Sequence, residues 1–199
     1  MPAFIRSLFA GAVVTTASAL TVLHAPSASA AEAVTRIGTS LAYTCYQAAE
    51  EHVPSRLGLS ACDIALAEEL LDHDDRARTL VNRGILRVLA HDFAGAQADY
   101  DQAIRMLPTL GDAWIDRGML YVRQGSKQEA AIVEIDKGLA IGSKDPAVAY
   151  YGRALAYEAL GKLNEAYRDY KAAAELKPDW DRPRKEMARF TVRPIEQTD

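Results

Sequence analysis

Three features of the amino-acid sequence predict an all-α chain of stacked antiparallel helix pairs. Alanine is abundant, and Val, Ile and Thr thin out after residue 36, which favours helix over sheet. Small residues recur at a fixed offset: Gly84 to Gly118 is 34 residues, and so is Ala96 to Ala130. Four matches share an offset of 70, namely Ala96/Ala166, Tyr100/Tyr170, Ala103/Ala173 and Pro108/Pro178. A period of this size marks a solenoid, whose units bury their apolar faces against one another.

The first thirty residues stand apart. Arg6 is followed by no charged residue until Glu32, and between them runs an apolar stretch from Ser7 to Leu23. Pro26 and the string Ser27-Ala28-Ser29-Ala30-Ala31 follow. A positive start, an apolar middle and a small-residue end are the layout of a secretory signal peptide over 1–30, cut after Ala30. The apolar stretch falls short of the ~20 residues that span a bilayer, and it contains Thr15, Thr16 and Ser18. The first cysteine is Cys45, too far from the cut for a lipid anchor. The expected compartment is the periplasm or the cell exterior.

Residues 31–75 read as a helical pair that caps the array. Its first helix covers about 34–52 and ends near Pro54; its second starts at Ser60, with Asp63 three residues on, and reaches about Leu71. Cys45 and Cys62 are the only cysteines. In an exported chain they are expected to pair as a disulfide rather than remain two buried thiols. Closing the 17-residue loop between them stabilises by ~3 kcal/mol in the chain-entropy model. The spacing is far from Cys-x-x-Cys, which argues against a redox role.

Residues 76–178 divide into three units, about 77–110, 111–146 and 147–178. In the first and third, Gly84 or Ala154 on one helix is expected to face Ala96 or Ala166 on the next, with Tyr100 or Tyr170 filling the space beside them. Pro108 and Pro178 end the second helices. Asp145-Pro146 starts a helix, since Asp caps free amides and Pro tolerates the first position. The second unit keeps Gly118 but lacks the Tyr, the second Ala and the closing Pro at the strict offset. Ala130 is the match at 34 residues; a shift of one recovers Ala131, Ile135 and Gly138. Gly118 to Ala154 is 36 residues, so extra length is expected around Ile141-Gly142-Ser143-Lys144, loosening the packing of the second and third units.

These residues resemble the tetratricopeptide repeat, a unit of about 34 residues folded as two antiparallel helices. Trp114, Gly118 and Tyr121 stand at that family's Trp, Gly and Tyr spacing, while Arg83 and Arg117 replace its usual Leu. The resemblance covers roughly 77–178. It implies a right-handed superhelix whose first helices line an inner surface where peptides dock. Projected onto this chain, that surface comprises Arg78, Asn82, Ile85, Asp112, Asp116, Met119, Tyr151, Leu155 and Glu158. Asn82 would suit the Asn and Lys/Arg clamp that some relatives place on a terminal carboxylate, but the matching lysines are missing.

A second pattern recurs. Arg83, Arg117 and Arg153 precede the small residue of each first helix, and Asp99, Glu134 and Asp169 precede the aromatic or its substitute on each second helix. The expected ion pairs are Arg83–Asp99, Arg117–Glu134 and Arg153–Asp169; the alternative is that these arginines bind an acidic ligand. After Pro178, Trp180, Met187 and Phe190 fall on one side of a short capping helix within 179–199, and Arg182, Arg184, Lys185 and Arg189 mainly on the other.

Signals for chemistry are sparse. His52, His73 and His91 form no metal-ligating spacing, and there is no phosphate-binding Gly loop or nucleophile motif. Net charge is −4 with no concentrated basic run, which argues against nucleic acid. The expectation is a non-enzymatic interaction module without cofactor or metal, taking a protein or peptide on its concave face. The alternatives are a structural subunit of a cell-envelope assembly and an accessory subunit of an enzyme.

Overall fold

Short polar side chains set most helix starts. Ser40, Ser55, Asp72, Asp92 and Asp145 each accept a hydrogen bond from a backbone N–H in the first turn that follows. The computed structural model describes residues 40–190. They form α1 (Leu41–Glu50), α2 (Arg56–Glu68), α3 (His73–Leu89), α4 (Phe93–Met106), α5 (Gly111–Gln124), α6 (Gln128–Ile141), α7 (Pro146–Ala159), α8 (Leu163–Leu176) and α9 (Asp181–Met187). The expected leader (1–30) and the tail from 191 lie outside these residues. The described residues contain no strand, and no helix among them is long and apolar enough to cross a membrane.

The helices pack as pairs: α1 on α2, α3 on α4, α5 on α6 and α7 on α8. Successive pairs stack through the first helix of the later pair, which packs on both helices of the earlier one: α3 on α1 and α2, α5 on α3 and α4, and α7 on α5 and α6. The second helices make no comparable contact with each other among the described residues. The first helices therefore form the continuous inner layer. α9 closes the far end against α8.

Within a pair, a small residue faces a large one. A Cβ built on Gly84 would lie 2.5 Å from the Tyr100 ring, and one on Gly118 would lie 2.7 Å from Ile135 Cγ1. Ala154, Ala166 and Tyr170 form the same contact in the last pair, and all three are buried. Ala96, Ala131 and Ala166 are fully buried at one position of α4, α6 and α8.

Ala130, the match at the strict offset, is exposed, and its neighbour Ala131 occupies the seam. The cause is one additional residue at the end of α5. That helix runs from Gly118 to Gln124, whereas α3 stops at Leu89, one residue sooner after Gly84. Gly125 then ends α5 in the left-handed region, at φ 72°. A second additional residue lies in the first turn of α7. The loops 107–110 and 142–145 are equally long, so the extra length is not in the second of them as expected. Nor does it loosen the array: α5 and α7 are at least as close as α3 and α5.

The N-terminal pair departs from expectation in a different way. α2 begins at Arg56 on a Ser55 cap, which leaves Ser60 inside the helix. The pair is also more regular than its sequence suggests. Cys45 stands where Gly84 and Gly118 stand, and Cys62 where Tyr100 and Ile135 stand. The two are joined by a disulfide, and both are fully buried. A covalent bond thus replaces the contact of small on large residue. Glu69 accepts hydrogen bonds from Leu41 N (2.7 Å) and Ala42 N, a carboxylate at the positive end of α1.

Each arginine of the recurring set is held alike. Nε and Nη2 of Arg83, Arg117 and Arg153 donate to Asp99, Glu134 and Asp169 of the same pair. Nη1 donates to Asp63, Asp101 and Asp136 on the second helix of the preceding pair. One guanidinium therefore joins two repeats, a geometry that the planar five-donor fork of arginine allows and lysine does not.

Candidate functional site

The inner layer is one open groove in two connected parts. The polar part, about 650 Å³, lies among α3, the start of α5 and the start of α7, with Tyr46 and Glu50 of α1 at its rim. Arg78, Asn82, Asp112, Asp116, Lys144 and Lys177 supply its polar groups. The apolar part, about 590 Å³, lies among the later turns of α3, α5 and α7 and is walled by Ile85, Val88, Met119, Val122, Leu155 and Trp180. Ile85, Asp116, Val148 and His52 border both parts.

Most of the residues projected from the repeat pattern line this groove. Arg78, Asn82, Ile85, Asp112 and Asp116 face the polar part; Met119, Tyr151 and Leu155 face the apolar part. Glu158 does not line it. Its carboxylate accepts from Tyr170 Oη at 2.7 Å and from Arg189 Nη2 at 2.8 Å, which ties α7 to α8 and to the end of the chain's described part. Tyr151 is not a free ligand anchor either. Its ring packs on Trp180 (centroids 4.8 Å) and Tyr170 (5.6 Å), and its hydroxyl donates to Glu186. The capping helix has thus taken up part of what the repeat pattern alone assigns to a ligand.

The charged groups of the groove are mostly engaged. Asp112 accepts from Ser143 Oγ (2.7 Å) and Lys144 N (3.2 Å), which fixes the loop before α7. Asp145 is paired with Lys177 at 2.6 Å. Asp116 differs. Among the described residues its carboxylate has no hydrogen-bond or ion-pair partner. Burial, and then the negative charge of Asp112, push its pKa up from 3.8 to about 7. The Tyr100 phenol beside it is raised as well, by burial first and then by Asp116.

Val88, Val122, Val148, His52 and Trp180 were not anticipated in the groove. Val88 and Val122 lie three residues beyond Ile85 and Met119, so extending the helical spacing one turn finds them. Trp180 and His52 arrive from the cap and from the turn after α1, where no repeat spacing applies. Among the described residues there is no group of three His, Cys, Asp or Glu able to hold a metal ion.

Known proteins match in the same terms. The tetratricopeptide-repeat family model matches residues 147–180. No curated protein matches the chain significantly. Among solved structures, the first TPR of Spaghetti (RPAP3) bound to the HSP90 peptide SRMEEVD is similar at 24% identity and TM-score 0.54, over 58% of this chain and 92% of that one. The MamA RS-1 ArsTM double mutant is similar at 19% identity and TM-score 0.56, over 76% of this chain and 80% of that one. At these identities the likeness is one of fold. Residues 147–180 thus match the tetratricopeptide repeat directly, and the stacked pairs share the fold of such arrays.

Proposed function

We propose that this chain is a non-enzymatic interaction module that holds a segment of another protein in its concave groove, and that it works in an exported, oxidising compartment. One observation carries the groove reading. Contacts between helices repeat from unit to unit, while the inner positions diverge: Asn82, Asp116 and Gly152 occupy equivalent places, as do Ile85, Met119 and Leu155. A surface shaped for one partner varies in this way, and a surface that serves the fold does not. The RPAP3 structure, which holds a peptide, supports the class of ligand. The leader pattern of residues 1–30 and the Cys45–Cys62 bridge support export, because such bridges persist in oxidising compartments.

The test is site-specific photo-crosslinking in intact cells, with the probe at Met119 in the groove or at Ala98, which is exposed on α4. One partner captured from Met119 and not from Ala98 is the expected outcome. Equal capture from both positions, or from Ala98 alone, would refute the groove. N-terminal sequencing of the exported protein is expected to begin at Ala31; a start at Met1 in a membrane fraction would refute export by cleavage.

A further inference from the structure

We infer that the groove selects a protein segment carrying a lysine or arginine next to apolar side chains, with the cation seated on Asp116 and the apolar residues against Met119, Val122 and Leu155. This rests on the groove reading above and names the chemistry of its occupant.

The first argument is the isolation of Asp116. The acids of the helix seams are paired: Asp99 with Arg83 and Arg87, Glu134 with Arg117, Asp169 with Arg153. Asp116 is half-buried and, without a protein partner among the described residues, lies where the polar and apolar parts of the groove meet. The groups around it are Asn82 and Ile85 on α3, Tyr100 on α4, Asp112 and Arg123 on its own helix, Val148 and Tyr151 on α7, and His52 after α1. None pairs with it, and the formal charge that bears on it is the like charge of Asp112.

The second argument concerns competing charges. Arg78, Arg123, Lys144 and Arg182 are exposed along the groove, and an acidic ligand would find them there. Fully exposed rim charges are water-screened and contribute little, while a half-buried charge is screened less. An acidic segment would therefore be attracted at the edge and repelled at the centre. A cation with an apolar flank satisfies both parts of the groove.

The experiment uses the full chain and three acetylated, amidated decapeptide pools that place Leu, Ile or Val around one central residue. That residue is lysine, glutamate or norleucine, and affinity is read by fluorescence polarisation. The lysine pool is expected to bind tightest. Asp116→Asn should weaken it about 30-fold or more and leave the norleucine pool within about twofold. Affinity for the lysine pool should rise about tenfold from pH 6 to pH 8, as a carboxyl of pKa about 7 ionises. The rise should persist in His52→Gln and vanish in Asp116→Asn. Thermal melts show whether Asp116→Asn keeps the fold; the loss of an unpaired charge should leave it at least as stable. Norleucine or glutamate binding as well as lysine, or spermidine alone binding as tightly as the lysine pool, would overturn the inference and leave the groove reading intact. No binding by any pool, together with crosslinking confined to Ala98, would overturn both.

Discussion

Arg117→Ala is the sharpest probe of how the array is held together. The Arg117 side chain is 14% exposed, that of Glu134 17% and that of Asp101 30%. Two nitrogens hold Glu134, at 2.7–3.2 Å, and the third holds Asp101 at 2.6 Å. The substitution leaves Glu134 largely buried without a cation, and removing one member of a buried pair costs about 3 kcal/mol. Asp101, nearer water, adds a fraction of that. For an array of this size the loss corresponds to a melting temperature about 6–12 °C lower. Arg117→Lys keeps the charge but not the fork and should fall between parent and alanine variant. Arg117→Met combined with Glu134→Leu removes both charges and should recover much of the loss. Calorimetry on the four proteins decides. If Arg117→Ala melts within 1 °C of the parent, the guanidinium contributes no more than a surface pair, and the reasoning fails.

Four further outcomes are expected. Ala96→Leu should lower stability by about 1–3 kcal/mol through overpacking, whereas Ala98→Leu, on the exposed face of α4, should melt like the parent. Gly111→Ala should be poorly tolerated because its Cβ would meet the carbonyl oxygens of Gly138 and Gly142; Gly152→Ala should be milder because it meets only the flexible end of Met119. Cys45→Ser combined with Cys62→Ser should cost about 3 kcal/mol in denaturant unfolding. Asp116 holds its proton more tightly folded than unfolded, so its contribution to stability is complete below about pH 4 and lost as pH rises through about 7. The melting advantage of Asp116→Asn over the parent should therefore grow across that window, and a difference independent of pH would contradict the raised pKa.

How much of this was legible in the sequence depends on what each residue answers to. Ala96, Ala166, Tyr100 and Tyr170 are steric requirements of two helices in contact, and steric requirements repeat at fixed spacing. The arginine pairs were visible for the same reason, but only as pairs within a unit; the bond to the preceding unit involves Asp63, Asp101 and Asp136, which lie on a different helix. Ala130 misled because one residue at the end of α5 moves every later position. The N-terminal pair was obscured because Cys45 and Cys62 are neither small nor aromatic, yet their bridge occupies that seam. Tyr151 and Glu158 sit at inner positions, and nothing in their spacing distinguishes a ligand contact from a contact with α9. The isolation of Asp116 is a property of its spatial neighbours, which no spacing records.

The bridging arginines also give the stack a direction. Each needs an acid on the second helix of the preceding pair, two residues past the place equivalent to its own unit's acid: Asp63, Asp101 and Asp136 fill that place in turn. In α8 the corresponding residue is Lys171, exposed and facing Glu175 of its own helix. At the opposite end, the residue before Cys45 is Thr44, not an arginine. A further unit docked on α8 would thus meet a like charge where it needs an opposite one, and a second molecule placed head to tail would bring no guanidinium to the joint. The same side chain that locks neighbouring repeats together is therefore withheld at both ends of the described array, which discourages its growth into a filament.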